Sequence, residues 1–560
     1  MKISENTPLL FASLLLIPFV SGCSSYEEVN LAADVDRNGT VSFRTDDRGE
    51  DSWTLSRGAV FLNNNDSDQD TGEPDHADQF VNGPDDLEDL AVLRLKRIPR
   101  LPEDAEVEVS VDGGSSDRIR LFYRNGSGDF VHLNHTGGGT LDPAMLGRDD
   151  IEMRIEAKSY ADRSWNGETV VTATVSLPGE EQLSDSVRLR VAPFILLSNL
   201  HEGRTLYVRE NPGRNDTFLA QLGELVPAAD AELVVIPAGE PYSRGGVWCQ
   251  DALEIGYTEM PGRRMNVVLK ANRNRPLDDY PKAGMLAPDF GWTSCGSYRP
   301  ELREDRTLGN FWLDWYGNLE VSPPVPGYPL GRIYYGSNGD ESLNPEIVAM
   351  LDAQGVQGPA VKLDTGWFRI KHVDEMVCFV PTGSRGRPHK VMVPDTRSML
   401  ELIEGWMEEG LGGLTMLEPF RDSTTVAEIA ANEELLDHNR RVQIERIDPV
   451  VEILKREFGL QKEDFIPTPA LLQVRGGSMV PNMVNSVVLN GHIFITDPHG
   501  PELEGQDLIQ EYVRNLLAEL PLEVHFLDDR AYHMGGGNTH CATNVTREGF
   551  GAPWWSLLTP

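Results

Sequence analysis

Three short segments hold residue types that could do chemistry together: Trp248-Cys249-Gln250-Asp251 with Glu254, His372-Val373-Asp374-Glu375, and Gly535-Gly536-Gly537-Asn538-Thr539-His540-Cys541-Ala542-Thr543-Asn544. Read as a strand, His372 and Asp374 project to the same face. A histidine and a carboxylate so placed can work as proton donor and cation binder. The glycine run permits unusual backbone geometry beside Cys541. A thiolate next to His540 or a helix N-terminus has a lowered pKa and is nucleophilic. Asp251 and Asp374 with such a thiolate suit a planar guanidinium, whose forked donors match carboxylates in pairs. Each piece alone has a plainer reading, since an HxD pair is usually structural and a free cysteine is usually a small buried hydrophobe. Metal ligation by His372, Asp374 and His540 is the rival local reading, with no matching ligand helix beside it.

These segments need a scaffold. The chain has 560 residues, too many for one hydrophobic core, so two or more domains are expected. Its net charge of -38 disfavours nucleic acid and anionic surfaces and favours cationic partners, although surplus acid also serves solubility. Five cysteines (Cys23, Cys249, Cys295, Cys378, Cys541) are too few for a disulfide scaffold, and none forms a CxxC pair.

Residues 33–195 read as a β domain. Alternation at Val107/Val109/Val111, Ile119/Leu121/Tyr123, Ile151/Met153/Ile155, Val171/Ala173/Val175 and Val187/Leu189/Val191 predicts half-buried antiparallel strands, and an immunoglobulin-like sandwich is the natural expectation. From residue 196 to 560, apolar strand-like runs alternate with helical stretches, which predicts an α/β domain. Within 441–459, Ile447, Val451, Leu454 and Phe458 recur at helical spacing, and Pro449 marks a helix start or kink. No short tandem repeat is evident.

The N-terminus has its own signal. An apolar run over residues 8–20 is short for a membrane span and ends at Val20-Ser21-Gly22-Cys23. This resembles a bacterial lipobox, which predicts a signal peptide over 1–22, acylation of Cys23, a tether over 23–32 and a lipid-anchored place in a bacterial cell envelope. An ordinary secretory signal and a buried first strand are the plainer alternatives.

Longer segments carry a resemblance. LEIGYTEMPG (253–262), NRNRPL (272–277), PDFGW (288–292), GNLEVSPPV (317–325), YPLGRI (328–333), HVDE (372–375), PNMVN (481–485), THCATNV (539–545) and WWSLL (554–558) resemble the protein-arginine deiminase family, in its order. GGGNTHC also resembles the agmatine and arginine deiminases. The resemblance implies a five-bladed α/β propeller of the pentein, guanidino-group-modifying type, and calcium-dependent conversion of peptidyl-arginine to peptidyl-citrulline. Asp251 and Asp374 would bind the guanidinium. Cys541 would attack it to give a covalent thiouronium, and His372 would protonate the leaving nitrogen and then activate water. Trp248 would line the arginine channel, and Arg273 and Arg275 would contact the substrate backbone. Gly535 stands where better-known members carry an arginine.

The resemblance also implies Ca2+. Asn64, Asp66, Asp68, Asp75, Asp78, Asp86 and Asp89 match remote ligands, with Asp289 reaching across from the catalytic domain and Glu156 a further candidate. The 33–195 domain would then be the family's calcium-binding middle domain. Asp34-Val35-Asp36-Arg37-Asn38-Gly39 is an acidic, glycine-turned loop suited to a hard cation. In the catalytic domain Gln250, Glu254 and Glu320, with backbone oxygens of Tyr316 and Leu319, match one site. At a second site Ala252, Lys270 and Ala271 replace oxygen ligands, and only Asn274 remains. The expected partners are an arginine-containing protein or peptide and a membrane. A deiminase of small guanidines and a catalytically silent calcium-binding lipoprotein are the alternatives.

Overall fold

The computed structural model describes residues 28–69, 71–133, 138–179, 182–304, 309–418, 420–421 and 423–559. The signal segment and Cys23 lie outside the described residues. Among those described, no helix is long and apolar enough to cross a membrane.

The alternating segments of the first domain form strands with the expected two-residue period. Glu168–Ser176 buries every second side chain, as a strand with one face in a core must. Ten strands make two five-stranded sheets, which share one core containing Leu93, Val107, Leu121, Met153, Val171 and Val187. Among the described residues, their strand pairings are antiparallel except Ala59–Phe61 against Leu183–Val191. The proposed tether needs correction at its end. Leu31–Ala33 is a buried edge strand paired with Ala91–Leu95, so these apolar residues belong to the domain.

Among the described residues, the α/β part holds five sheets of three or four strands with one shared pattern. Each has a central strand with an antiparallel neighbour on one side and a parallel neighbour on the other. The central strands are Gly203–Arg209, Arg263–Lys270, Ile333–Asn338, His389–Asp395 and His492–Thr496. Thr543–Arg547, near the C-terminus, supplies the antiparallel neighbour of the first of these. The boundary near 195 falls inside a strand, since Ile195–Leu196 pairs with Tyr257 and Gly256.

The stripe over 441–459 is helical with a local distortion. Helix Glu433–Val442 runs into a π turn at Gln443–Ile447 and then into Asp448–Phe458. Pro449 has no N–H to donate, and the wider turn just before it accommodates that loss. In the helix after that turn, Val450 rather than Val451 is buried with Ile447, Leu454 and Phe458.

Candidate active site

Five loops meet, and each precedes the antiparallel neighbour of one sheet's central strand. Cys249–Ala252 leads into Leu253–Met260, and Tyr316–Asn318 into Leu319–Val321. Val373–Glu375 precedes Cys378–Pro381. Residues 481–485 precede Val487–Leu489, and Thr539–Ala542 leads into Thr543–Arg547. The shared strand pattern thus delivers five separate stretches of sequence to one place.

His372 and Asp374 are not on a strand. His372 is extended and Val373–Glu375 is a 3-10 turn, because the Glu375 carboxylate accepts the His372 backbone N–H at 3.3 Å. The two side chains still converge. His372 Nε2 is 2.8 Å from the Trp312 carbonyl oxygen, which can only accept, so Nε2 carries a proton. His372 Nδ1 faces Asp251 Oδ1 at 3.4 Å. Asp374 Oδ2 accepts from the Cys541 thiol at 3.3 Å and lies 2.9 Å from His540 Nδ1. All four core side chains are buried, and the ligand atoms of His372, Asp374 and Cys541 lie within 4.8 Å of one another.

Asn485 completes the setting. Its side-chain N–H donates to Cys541 Sγ at 3.2 Å, and its Oδ1 accepts the Cys541 backbone N–H at 3.2 Å. Below the loop, Asn538 and Thr539 donate to buried Asp529, which also accepts from Thr496 at 2.6 Å. Two glycines have to be glycine here. A Cβ on Gly537 would stand 2.8 Å from the Trp248 ring and 3.1 Å from Cys541 Sγ. A Cβ on Gly317 would stand 2.5 Å from His372 Nδ1, 2.9 Å from Asp251 Oδ1 and 3.0 Å from Asp374 Oδ2. Trp248 packs against Tyr532 and over the glycine run, and so walls the approach to Cys541.

The electrostatics correct one expectation. The Cys541 thiol is pushed well up, not down, by burial and then by the charges of Asp374 and Asp251. Burial also raises Asp251 to about 6, against the lowering effect of His372. Burial opposes charging of His540, yet Glu320 and Asp374 outweigh it and raise its pKa. Asp251 Oδ1 and Asp374 Oδ1 are buried without hydrogen-bond partners. Such orphaned acceptors fit a cation with several N–H donors.

Arg273 is held by its own neighbours. It is buried, its guanidinium donates to Asp278 at 2.7 Å, and it stacks 5.0 Å over Trp315. Arg275 lies 5.9 Å over the same ring, and its backbone N–H also donates to Asp278. Lys270 pairs with Asp279 at 3.8 Å.

The acidic groups form two main clusters. Gln250 donates to Glu254 at 2.9 Å and reaches the Tyr316 carbonyl oxygen at 3.4 Å, beside Glu320 and a cavity of about 40 Å³. Burial raises Glu254 well above its ordinary pKa and Glu320 to about 8, and Glu320 Oε1 has no hydrogen-bond partner. Leu319 opens the strand that carries Glu320.

The second cluster lies between the two domains. Asn64 bridges Asp86 and Glu156, Asp75 accepts from the Asp68 N–H, and the Asp289 N–H donates to Asp66. Glu156 is also paired with Arg120 at 3.3 Å. Asp66, Asp68 and Asp89 hold ligand atoms within 4.8 Å of one another. Burial raises Asp66 to about 8, Asp68 to about 6, and Asp75 and Asp89 to about 7. Asn64 Oδ1, Asp66 Oδ1 and both Asp68 oxygens are orphaned. In both clusters, hard oxygen donors crowded beyond their supply of hydrogen bonds fit calcium. Asp78 stands apart, exposed and bonded to the Phe80 N–H and Asn82 of its own loop.

Asp34 and Asp36 accept N–H groups of their own loop and lie near Asp46. Sequence reasoning missed Arg263, whose guanidinium bridges Asp89 at 2.5 Å and Asp289 at 2.8 Å. It also missed the roles of Trp312, Gly317 and Asn485. A glycine and an asparagine inside longer motifs were the only signals for the last two. Cys249, Cys295, Cys378 and Cys541 are all free thiols.

Comparison with known proteins matches the sequence to a family. Residues 181–556 match the family model described as protein-arginine deiminase (PAD), and residues 28–178 match the protein-arginine deiminase (PAD) middle domain. The chain is 31% identical over 567 residues to human protein-arginine deiminase type-4, covering 95% of this chain and 83% of the relative. It is 32% identical over 561 residues to the mouse type-1 protein, covering 95% and 82%. Among solved structures, the C. jejuni agmatine deiminase aligns with a TM-score of 0.38 at 12% identity, covering 63% of this chain and 96% of that one. The chain belongs to the protein-arginine deiminase family.

Proposed function

We propose that this chain hydrolyses peptidyl-arginine to peptidyl-citrulline and ammonia, with calcium required. One observation carries the reading: two buried carboxylates with orphaned oxygens, Asp251 and Asp374, flank a buried thiol that has its own hydrogen-bonded seat. A guanidinium lying over Gly317 would satisfy both carboxylates and present its central carbon to Cys541 Sγ. Its positive charge offsets the two anions that hold the thiol protonated, so binding itself favours the thiolate. Attack forms the S–C bond. The thiol proton passes to His372 Nδ1, which faces the site, and from there to the departing nitrogen, so that ammonia leaves and a thiouronium remains. Nδ1 then takes a proton from water, which attacks the carbon and expels the thiolate.

Calcium would be held by Gln250, Glu254, Glu320 and the carbonyls of Tyr316 and Leu319, and in the interdomain cluster by Asn64, Asp66, Asp68, Asp75, Asp86, Asp89, Glu156 and Asp289. Bound there, it supplies charge balance for carboxylates that crowd one another. The test is citrulline and ammonia release from benzoyl-arginine amide, free arginine and agmatine, with and without calcium. Turnover of the amide with calcium is expected, and turnover of agmatine or free arginine alone would overturn the peptide reading.

Two finer features belong to the same reading. The five like-patterned sheets close into a five-bladed propeller, supported by the return of Thr543–Arg547 to the Gly203–Arg209 strand. A crystal structure with those sheets in an open array would overturn this. Cys23 is acylated and anchors the protein in a bacterial cell envelope, supported by Val20-Ser21-Gly22-Cys23. Mass spectrometry of the mature N-terminus and detergent partitioning test this, and an unmodified Cys23 in a soluble product rules it out.

A further inference from the structure

We propose that His492, His525 and Glu523 form a binding site for a borderline divalent transition metal, with zinc as the type ion, distinct from the calcium clusters and the catalytic site. His492 and Glu523 are register partners on the parallel strands His492–Thr496 and Glu523–Leu527, and His525 stands two residues along on the same face as Glu523. His492 Nδ1 and His525 Nε2 are 3.0 Å apart. Two imidazole nitrogens each about 2.0–2.1 Å from one zinc ion are separated by about 3.3 Å in tetrahedral geometry, so a shift of a few tenths of an ångström admits the ion. Glu523 completes the set, with Oε2 3.8 Å from His492 Nδ1 and Oε1 3.6 Å from His525 Nε2.

Donor chemistry separates this group from the oxygen-only clusters, because imidazole nitrogen prefers zinc, copper or nickel to calcium. Both rings are largely buried, and both pack against Phe494, which limits their rotation. Glu523 is 68% exposed, so the ion has an entry path and its fourth position opens to water. Each neutral ring can hold its proton on the nitrogen that faces away from the ion. A carboxylate in reach of both nitrogens is what a plain histidine–histidine hydrogen bond does not need.

The place in the fold gives the site a purpose. The same two strands lead at their other ends to Thr496 and Asp529, the pair beneath the Asn538–Cys541 loop. A metal clip across the strand starts would therefore staple the sheet that underlies the nucleophile.

The experiment uses the full chain with calcium saturating and Cys541→Ser in the background, so that the reactive thiol does not compete for zinc. Zinc binding is measured by competition with a chromophoric chelator and by thermal melting. His492→Gln, His525→Ala and the exposed Glu523→Gln are each expected to weaken the strongest zinc site by about 10-fold or more, the scale on which even outer-sphere partners of metal ligands act. Each should also remove the zinc-induced rise in Tm. Anomalous diffraction at the zinc edge should place the ion between the two rings. Unchanged zinc affinity in all three variants, or zinc found only beside His372 and Asp374, would overturn the proposal.

Discussion

The Cys541 thiol donates to Asp374 Oδ2 at 3.3 Å, so the nucleophile rests against one of the anions assigned to the substrate cation. Without substrate, that contact favours the thiol over the thiolate. A bound guanidinium would draw the Asp374 charge to itself and release the sulfur.

Asp374→Asn therefore should separate reactivity from turnover. Removing the anion lowers the Cys541 pKa, so alkylation by iodoacetamide at fixed pH below the thiol pKa should speed up. Removing a charge-assisted partner of the guanidinium should reduce kcat/KM by at least about 2 kcal/mol, roughly 30-fold. Slower alkylation in the variant, or near-normal kcat/KM, would contradict this arrangement. Asp251→Asn should show a comparable loss of kcat/KM.

Gly317→Ala probes the space between the carboxylates. The new methyl would lie 2.5 Å from His372 Nδ1, closer than non-bonded atoms come, and within 3.0 Å of both aspartates. Loss of essentially all turnover is expected, together with a lower Tm, because the neighbours are buried and cannot retreat. A variant that melts like wild type and keeps a normal KM would show that the guanidinium lies elsewhere.

Much of this site was legible in the sequence, for identifiable reasons. Period-2 burial in strands such as Glu168–Ser176 is a local property and reads directly. Cys541 stands in THCATNV, His372 and Asp374 stand in HVDE, and Asp251 lies two residues before LEIGYTEMPG. The relationships among them are tertiary and do not read. The convergence of His372 on Asp251 and of Asp374 on Cys541 joins separate stretches of the chain. The raised Cys541 pKa depends on burial and then on two carboxylates more than a hundred residues away in sequence. The five-times-repeated sheet pattern escaped notice because its strands are short and lie far apart along the chain. Arg273, which the resemblance makes a contact of the substrate backbone, is held by Asp278 and stacks on Trp315, and neither contact reads from its motif.

The interdomain acids give a pH-dependent stability whose sign follows from their raised pKa values. Asp66 and Glu156 at about 8, and Asp75 and Asp89 at about 7, all exceed the values of an unfolded chain. Their folded forms hold protons that the unfolded chain has lost, so calcium-free stability should fall as pH rises from about 4 through 8. Calcium binds the ionised form and should reverse the trend. At a hundredfold excess over Kd, each site adds about 2.7 kcal/mol, a Tm rise of about 5–10 °C for a domain of this size. Melting in chelator and in calcium at pH 6 and pH 8 checks this. A calcium-induced rise larger at pH 6 than at pH 8 would refute it.

The last prediction concerns the ion-poor side of the catalytic domain. Ala252 and Ala271 are fully buried and offer no side-chain oxygen, and Lys270 brings a positive charge that repels calcium. Lys270 instead faces Asp279 at 3.8 Å, just past the Asn272–Arg275 loop. Asp278 accepts the backbone N–H of both Arg273 and Arg275, and Asn272 donates to the Cys295 and Gly296 carbonyl oxygens. The loop is thus tied by the protein's own groups where an ion would otherwise tie it, and Lys270 with Asp279 fastens its far end. A calcium-soaked crystal should show one ion in the catalytic domain, near Glu254 and Glu320, and none beside Asn274. The calcium dependence of turnover should then be shallower than that of an enzyme with two catalytic ions. Lys270→Ala should raise KM for a peptide substrate while leaving the calcium midpoint in place, because it loosens the loop without touching the ion's ligands. If Lys270 merely points to solvent, that substitution changes neither quantity. Density for an ion beside Asn274, with Lys270 turned away, would also defeat the argument.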